Sequence, residues 1–251
     1  MTKIRILSDL HLEGFKYFYE PKGEDILVLA GDIDTKNRHE MFISWIDPSI
    51  EIIMVAGNHE YYNGEFHDVN NYLKGLEKTF KNFHFLNNES IEINGISFFG
   101  GTMWSDYNLY GPSESWFGRQ DAKRYIRDYE VTSIKEDGLI RQWTIEDHLK
   151  EYEKFNREFD RWVKDAEGKP RVCVSHFLPS EKSVCQKFKG SMLNTYFASN
   201  NEDRVQLVDY WFAGHTHSSV DYMLGDARVI HNPKGYGNEN PNFNDNLIIE
   251  I

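Results

Sequence analysis

Ile52-Ile53-Met54-Val55-Ala56-Gly57-Asn58-His59-Glu60 is the stretch on which the fold turns. An unbroken apolar run rich in β-branched residues is expected of a strand covered on both faces. The run stops at Gly57, and the next three side chains can bind a metal or carry a proton. The same grammar recurs along the chain. Ile26–Ala30 ends at Gly31-Asp32, and Ile4–Leu7 ends at Ser8-Asp9-Leu10-His11. Arg171–Ser175 ends at His176, and Tyr210–Ala213 ends at Gly214-His215-Thr216-His217. In α/β sheets, ligand sites gather beyond the carboxyl ends of the strands. Five strand-to-turn junctions therefore direct their polar residues toward one crevice.

Between these junctions the pattern alternates. Met41–Ile46 reads as a short helix stopped by Asp47-Pro48, and Val69, Leu73 and Leu76 give helical spacing from about Phe66 to Phe80. Ile91 to Gly101 reads as two strands joined at Asn94-Gly95, a hairpin signal. From Thr102 to about Gly168 the chain turns aromatic and charged, without apolar strand runs. Within it, Thr144 and Asp147 form a weaker version of the capping box. Ile145, Leu149, Tyr152, Phe155, Phe159 and Trp162 follow at helical spacing. Val220–Leu224, Arg228–Ile230 and Leu247–Ile251 return to strand character. We expect one domain over residues 1–251, carrying an inserted, largely helical cap segment over residues 102–168.

Composition narrows the partners. A formal charge of -12 suits a long duplex poorly, because phosphate neutralisation by Lys and Arg supplies most non-specific affinity for DNA. A metal cluster would offset that charge locally, which leaves a small phosphorylated substrate open. Cys173 and Cys185 are the only cysteines, too few for a disulfide framework and outside any paired-Cys metal motif. A ligand already appears at Asp9, so the start of the chain reads as neither a signal peptide nor a membrane span. The expectation is a cytoplasmic protein that does not engage membranes.

Phosphate-ester hydrolysis needs a nucleophile at neutral pH and neutralisation of phosphoryl charge. Two metal ions about 3.5–4 Å apart supply both. Such a pair needs oxygen and nitrogen donors and a carboxylate between the ions. The chain offers Asp9, His11, Asp32, Asn58, His176, His215 and His217. That set, without sulfur, suits two divalent ions such as Mn, Fe or Zn better than Ca or Mg.

At these residues the sequence resembles the calcineurin-like metallophosphoesterase superfamily. The family pattern runs Asp-x-His, Gly-Asp, Gly-Asn-His-Asp/Glu, a lone His and Gly-His-x-His, and every element is present in order from Asp9 to His217. The resemblance implies an α/β fold, a β-sandwich of two mixed sheets flanked by helices. It implies that Asp9, His11 and His217 hold one metal, that Asn58, His176 and His215 hold the other, and that Asp32 bridges them. A hydroxide between the metals would attack the phosphorus. His59 would face the substrate as general acid or phosphoryl stabiliser, and Glu60 would orient an imidazole.

Signals outside the ligand set are weaker. Tyr61 and Tyr62 either stack on a substrate ring or pack the next helix. Trp104, with Tyr107, Tyr110, Trp116 and Phe117, opens the inserted segment and either walls a substrate pocket or covers the core. Arg119, Lys123 and Arg127 read as one solvated basic stripe, with phosphate binding as the alternative. His231-Asn232-Pro233 carries only a positional hint. His39, His67, His84 and His148 have no partner motif and read as surface or structural residues.

The leading expectation is a phosphodiesterase or phosphomonoesterase acting on a small, nucleotide-like molecule. Departures from the family pattern weigh against some alternatives. Phosphoprotein phosphatases continue Gly-Asp with Val-Asp-Arg-Gly, whereas Gly31-Asp32 continues Ile33-Asp34-Thr35-Lys36. Enzymes cleaving the lipid A precursor carry Arg at the position of His59. DNA-repair nucleases of the superfamily add a long capping region, and only 34 residues follow His217. A single-strand nuclease, a phosphoprotein phosphatase and a non-catalytic scaffold on the same fold stay as alternatives.

Overall fold

The computed structural model describes residues 1–251. Two mixed sheets dominate. The first orders its strands β13-β1-β2-β3-β4, with β1 Lys3–Leu7, β2 Ile26–Ala30, β3 Glu51–Val55, β4 Phe83–Phe85 and β13 Ile248–Glu250. The second runs β11-β12-β10-β9-β6-β5, from β5 Glu89–Ile93, β6 Ile96–Gly101, β9 Arg171–Ser175, β10 Tyr210–Ala213, β11 Val220–Leu224 and β12 Ala227–His231. β1 to β4 run parallel to one another, as do β6, β9, β10 and β12. Parallel pairing puts the carboxyl ends of each set on one edge, where the polar turns lie.

Alternation of side chains explains the layering. Ile4, Ile6, Ile26, Val28, Ala30, Ile53 and Val55 meet Phe98, Val172, Val174, Phe212 and Ile230 in an apolar layer between the sheets. The intervening residues, Leu27, Leu29, Ile52 and Met54, face outward toward α1 His39–Ser44 and α2 Phe66–Leu76. On the second sheet, Phe99, Cys173 and Trp211 face outward toward a long helix, α5 Ile145–Asp165. The result is the expected sandwich of two mixed sheets flanked by helices.

The stretch 102–168 is less uniformly helical than its sequence reads. α3 Pro112–Tyr125 and α4 Asp128–Val131 are followed by a hairpin, β7 Ser133–Glu136 with β8 Leu139–Gln142, then by α5. The hairpin is solvent-facing at its tip and lacks the apolar run that marks the sheet strands, so periodicity misses it. α5 is a helix of the body: Trp162 stacks on Phe99 of β6 at 5.4 Å between centroids, and Phe155 meets Phe99 edge-on. Of the basic stripe, Arg119 lies over the Tyr107 ring and Arg127 falls beyond the end of α3.

α5 begins as its sequence indicates. Thr144 accepts from the Asp147 amide, and the Asp147 carboxylate accepts from the Thr144 amide, closing a capping box. Arg141 of the hairpin adds a two-pronged ion pair to the same carboxylate. Loss of such a cap costs about 1 kcal/mol. Thr144→Ala is therefore expected to lower the urea midpoint by that free energy divided by the slope, at an unchanged slope and with hydrolytic rate intact; an unshifted midpoint would show that the ion pair alone holds the helix start.

Candidate metal centre

Six of the seven expected ligands group together, and Asn58 lines the same cleft as Asp32, His215 and His217. Asp9 and His11 follow β1, Asp32 follows β2, Asn58 follows β3, His176 follows β9, and His215 and His217 follow β10. Donor atoms of Asp9, His11 and His217 lie within 4.8 Å of one another, as do those of Asp32, His176 and His215. Asp32 also groups with His11 and His59, which puts it between the two sets. Asp9, His11, Asp32, Asn58, His176 and His215 are buried, and His217 is half-buried.

The main chain is bent to achieve this. Asp9, His11, Asp32, His215 and His217 all have φ between 47° and 73°, the left-handed region that side chains with a Cβ avoid. The glycines are there for space. A Cβ on Gly57 would collide with Asp32 Oδ1, and one on Gly214 would stand 2.5 Å from Asp9 Oδ2. Glu60 braces the turns from beneath. Its carboxylate accepts from the amides of Asp32, Ile33 and Gly57 at 2.6–2.9 Å.

Hydrogen bonds on one imidazole nitrogen leave the other for the centre. His176 Nδ1 donates to the Ala30 carbonyl, His11 Nδ1 pairs with Glu13, and His217 Nδ1 pairs with Glu239. The remaining Nε2 atoms face carboxylates: His176 lies 3.4 Å from Asp32, and His217 lies 3.3 Å from Asp9. His11 Nε2 and His217 Nε2 stand 3.0 Å apart. Asn58 gives its amide N–H to Asp128 at 3.0 Å, so its Oδ1 is the atom turned away from that carboxylate. Asn58 Oδ1, His176 Nε2 and His215 Nε2 are buried with no hydrogen-bond partner. Buried polar atoms are ordinarily satisfied, so three such potential donor atoms without a partner fit a cation.

Electrostatics agree. Burial works against charge on Asp9, yet its contact with His217 and the field of His176 hold it at about 2. Asp32 is likewise held well below its usual range, against burial, chiefly by His176 and His59. Burial disfavours charged imidazoles, but Asp32 raises His176 to about 10 and Asp9 raises His217 to about 9. His215 goes the other way, driven down by burial and by the charge on His176. The same arrangement stabilises a divalent ion.

His59 stands at the edge of this cluster. Its ring stacks on Tyr62 at 4.1 Å, Nδ1 lies 3.0 Å from Glu13 Oε1, and Nε2 lies 3.3 Å from the Tyr236 hydroxyl. A cleft of about 380 Å³ opens beside it, walled by Tyr62, Tyr125, Ile126, Phe188, Leu193 and Phe197. The last belongs to α6 Asn194–Phe197. Arg127 stands exposed on the rim.

Three expected contacts are corrected. Tyr61 is buried between Phe66 and Trp104, and its hydroxyl donates to Asn70. Trp104 is buried among Tyr61, Trp143, His148 and Phe177. Neither reaches the cleft, because a large ring gains more from the core than from the rim. Glu60 touches no imidazole of the centre; it lies 3.3 Å from His39 and otherwise serves the backbone. Sequence reading missed Glu13, Asp128, Tyr236 and Glu239. Only Glu13 carried a signal, as the third polar residue of the alternation Asp9-x-His11-x-Glu13.

Comparison with known proteins gives the same fold. The sequence model described as calcineurin-like phosphoesterase matches residues 2–219. An uncharacterised protein of Acanthamoeba polyphaga mimivirus is 28% identical over 100% of this chain and 97% of its own length. An uncharacterised metallophosphoesterase of Aquifex aeolicus is 30% identical over 50% of this chain and 54% of its own. Among solved structures, the phosphopantetheinyl hydrolase of Mycobacterium tuberculosis superposes at a TM-score of 0.71 with 16% identity, over 95% of this chain and 91% of that one. A Thermus thermophilus protein superposes at 0.57 with 11% identity, over 92% and 89%.

The raised imidazoles have a measurable consequence. At pH 7 to 8 His176 and His217 carry protons, and a cation must displace both to reach their Nε2 atoms. Mn²⁺ binding is therefore expected to release about two protons in that range. Affinity should rise with pH until about 9 to 10, where both rings are neutral, and then level off. Titration calorimetry in buffers of different ionisation enthalpy counts the protons; binding without release would show that these imidazoles are not ligands.

Proposed function

The chain belongs to the calcineurin-like phosphoesterase family and is a metallophosphoesterase; on that footing we propose that it hydrolyses a phosphate ester of a small, nucleotide-like molecule at a dinuclear centre. The observation that carries this reading is the grouping of six donors from four turns, with Asn58 of a fifth turn lining the same cleft and its Oδ1, like His176 Nε2 and His215 Nε2, buried without a partner. Asp9, His11 and His217 would hold one divalent first-row ion, Asn58, His176 and His215 the other, with Asp32 between them. Bound there, such ions supply charge neutralisation at the phosphoryl oxygens and acidify water.

The chain's own residues do the rest. His59 presents Nε2 to the cleft and delivers a proton to the leaving oxygen, or holds the phosphoryl charge as an imidazolium. Asp32 and Glu13 raise its proton affinity against the pull of burial, which suits an acid at neutral pH. Tyr62 fixes one face of that ring. Asp128 pins the Asn58 amide, so its oxygen is presented in one orientation. The aromatic wall takes the flat, apolar part of the substrate, and the volume of the cleft fits a small molecule. Tyr62, Tyr125 and Phe188 offer faces for a ring, which favours a nucleotide-like group. Arg127 has no carboxylate partner and is available to a further anionic group at the rim.

Turnover of bis(p-nitrophenyl) phosphate with Mn²⁺ tests the assignment. His59→Ala is expected to keep its metal and to slow turnover by roughly a hundredfold, the usual cost of losing a general acid. Asp32→Asn is expected to lose metal and activity together. A metal-loaded wild-type protein without turnover would favour the scaffold reading, and cleavage of single-stranded oligonucleotides would move the substrate class to nucleic acid.

A further inference from the structure

We propose that Glu13 is a positioning residue that ties the phosphate-facing His59 to the ligand His11, an assignment that rests on the reading of His59 above. A single oxygen does this. Glu13 Oε1 lies 3.0 Å from His11 Nδ1 and 3.0 Å from His59 Nδ1, and the two rings meet edge-on at 4.5 Å. No other carboxylate touches the His59 ring, since Glu60 is engaged beneath the turn. The Glu13 side chain is 22% exposed, and its second oxygen is buried without a partner.

A carboxylate accepts hydrogen bonds and does not give them, so each ring must bring its Nδ1 proton to that oxygen. Each ring then works through Nε2. For His11 that atom lies 3.9 Å from Asp32 Oδ2, inside the ligand cluster. For His59 it lies at the mouth of the cleft, beside the Tyr236 hydroxyl. One acceptor thus sets the tautomer and tilt of a ligand and of the proton carrier together. Moving either ring disturbs the other. Tyr62 closes the remaining face of His59, so Glu13 is the one polar side chain fixing the Nδ1 edge of that ring.

The two links predict two separate losses from one substitution. Glu13→Ala should weaken Mn²⁺ about 10- to 100-fold through His11, the usual effect of removing a ligand's hydrogen-bond partner. At saturating Mn²⁺ it should lower kcat roughly a hundredfold with little change in KM, through His59. The loss should grow along a series of aryl phosphodiesters as the leaving phenol becomes more basic. Glu13→Gln, whose amide oxygen still accepts, should recover part of both. With His59→Ala already in place, Glu13→Ala should cost no further kcat while the Mn²⁺ loss persists.

Mn²⁺ affinity by competition with a chelator, and kcat and KM across the ester series, measure these quantities in the wild type and all four variants. Equal kcat losses from Glu13→Ala with and without His59 would overturn the proposal, as would wild-type affinity and kcat in Glu13→Ala. Full activity in His59→Ala would instead sink the role given to His59, leaving the Mn²⁺ measurement to judge the link to His11.

Discussion

Two carboxylates buried without any lysine or arginine govern this molecule. Asp9 and Asp32 find only imidazoles within salt-bridge distance. Stripped of water, an ion needs compensation close at hand. Histidines from both sheets provide it, and backbone amides help: the His59 amide donates to Asp32, and the His215 amide donates to Asp9. Charge balance at these two positions explains why turns from the two sheets press together along one edge. It also explains why Gly31, Gly57 and Gly214 stand where they do.

The parts of the fold visible in the sequence are those where burial is complete. β2 and β3 are apolar throughout because both faces are covered, and their ends are sharp because a glycine and a ligand follow at once. α5 was readable because its buried stripe and its cap agree. Short or half-exposed elements were not. β4 spans only Phe83–Phe85, and the 133–142 hairpin faces water along much of its length. Such segments take their structure from neighbours distant in sequence, and local pattern says little about them.

The same division holds at the metal centre. The candidate ligands are legible because each follows a strand end, with a residue type that has few other uses there. The groups that orient them are not. Asp128 reaches Asn58 from α4, and Tyr236 and Glu239 come from a loop beyond β12. Nothing in local sequence says that an acid of α4 lies against an asparagine seventy positions earlier. Aromatic residues misled for a different reason. Tyr61 and Tyr62 are neighbours of one kind, yet successive side chains point apart; one entered the core and the other the cleft.

The left-handed backbone at five ligands reaches beyond chemistry. Each such conformation costs on the order of 1 kcal/mol, and the sum is comparable to the whole margin by which an ordinary domain stays folded. A bound ion repays part of that strain through mass action. Were the candidate centre loaded, losing its metal would then thin the population of molecules, because the metal-free form would unfold and meet proteases more often.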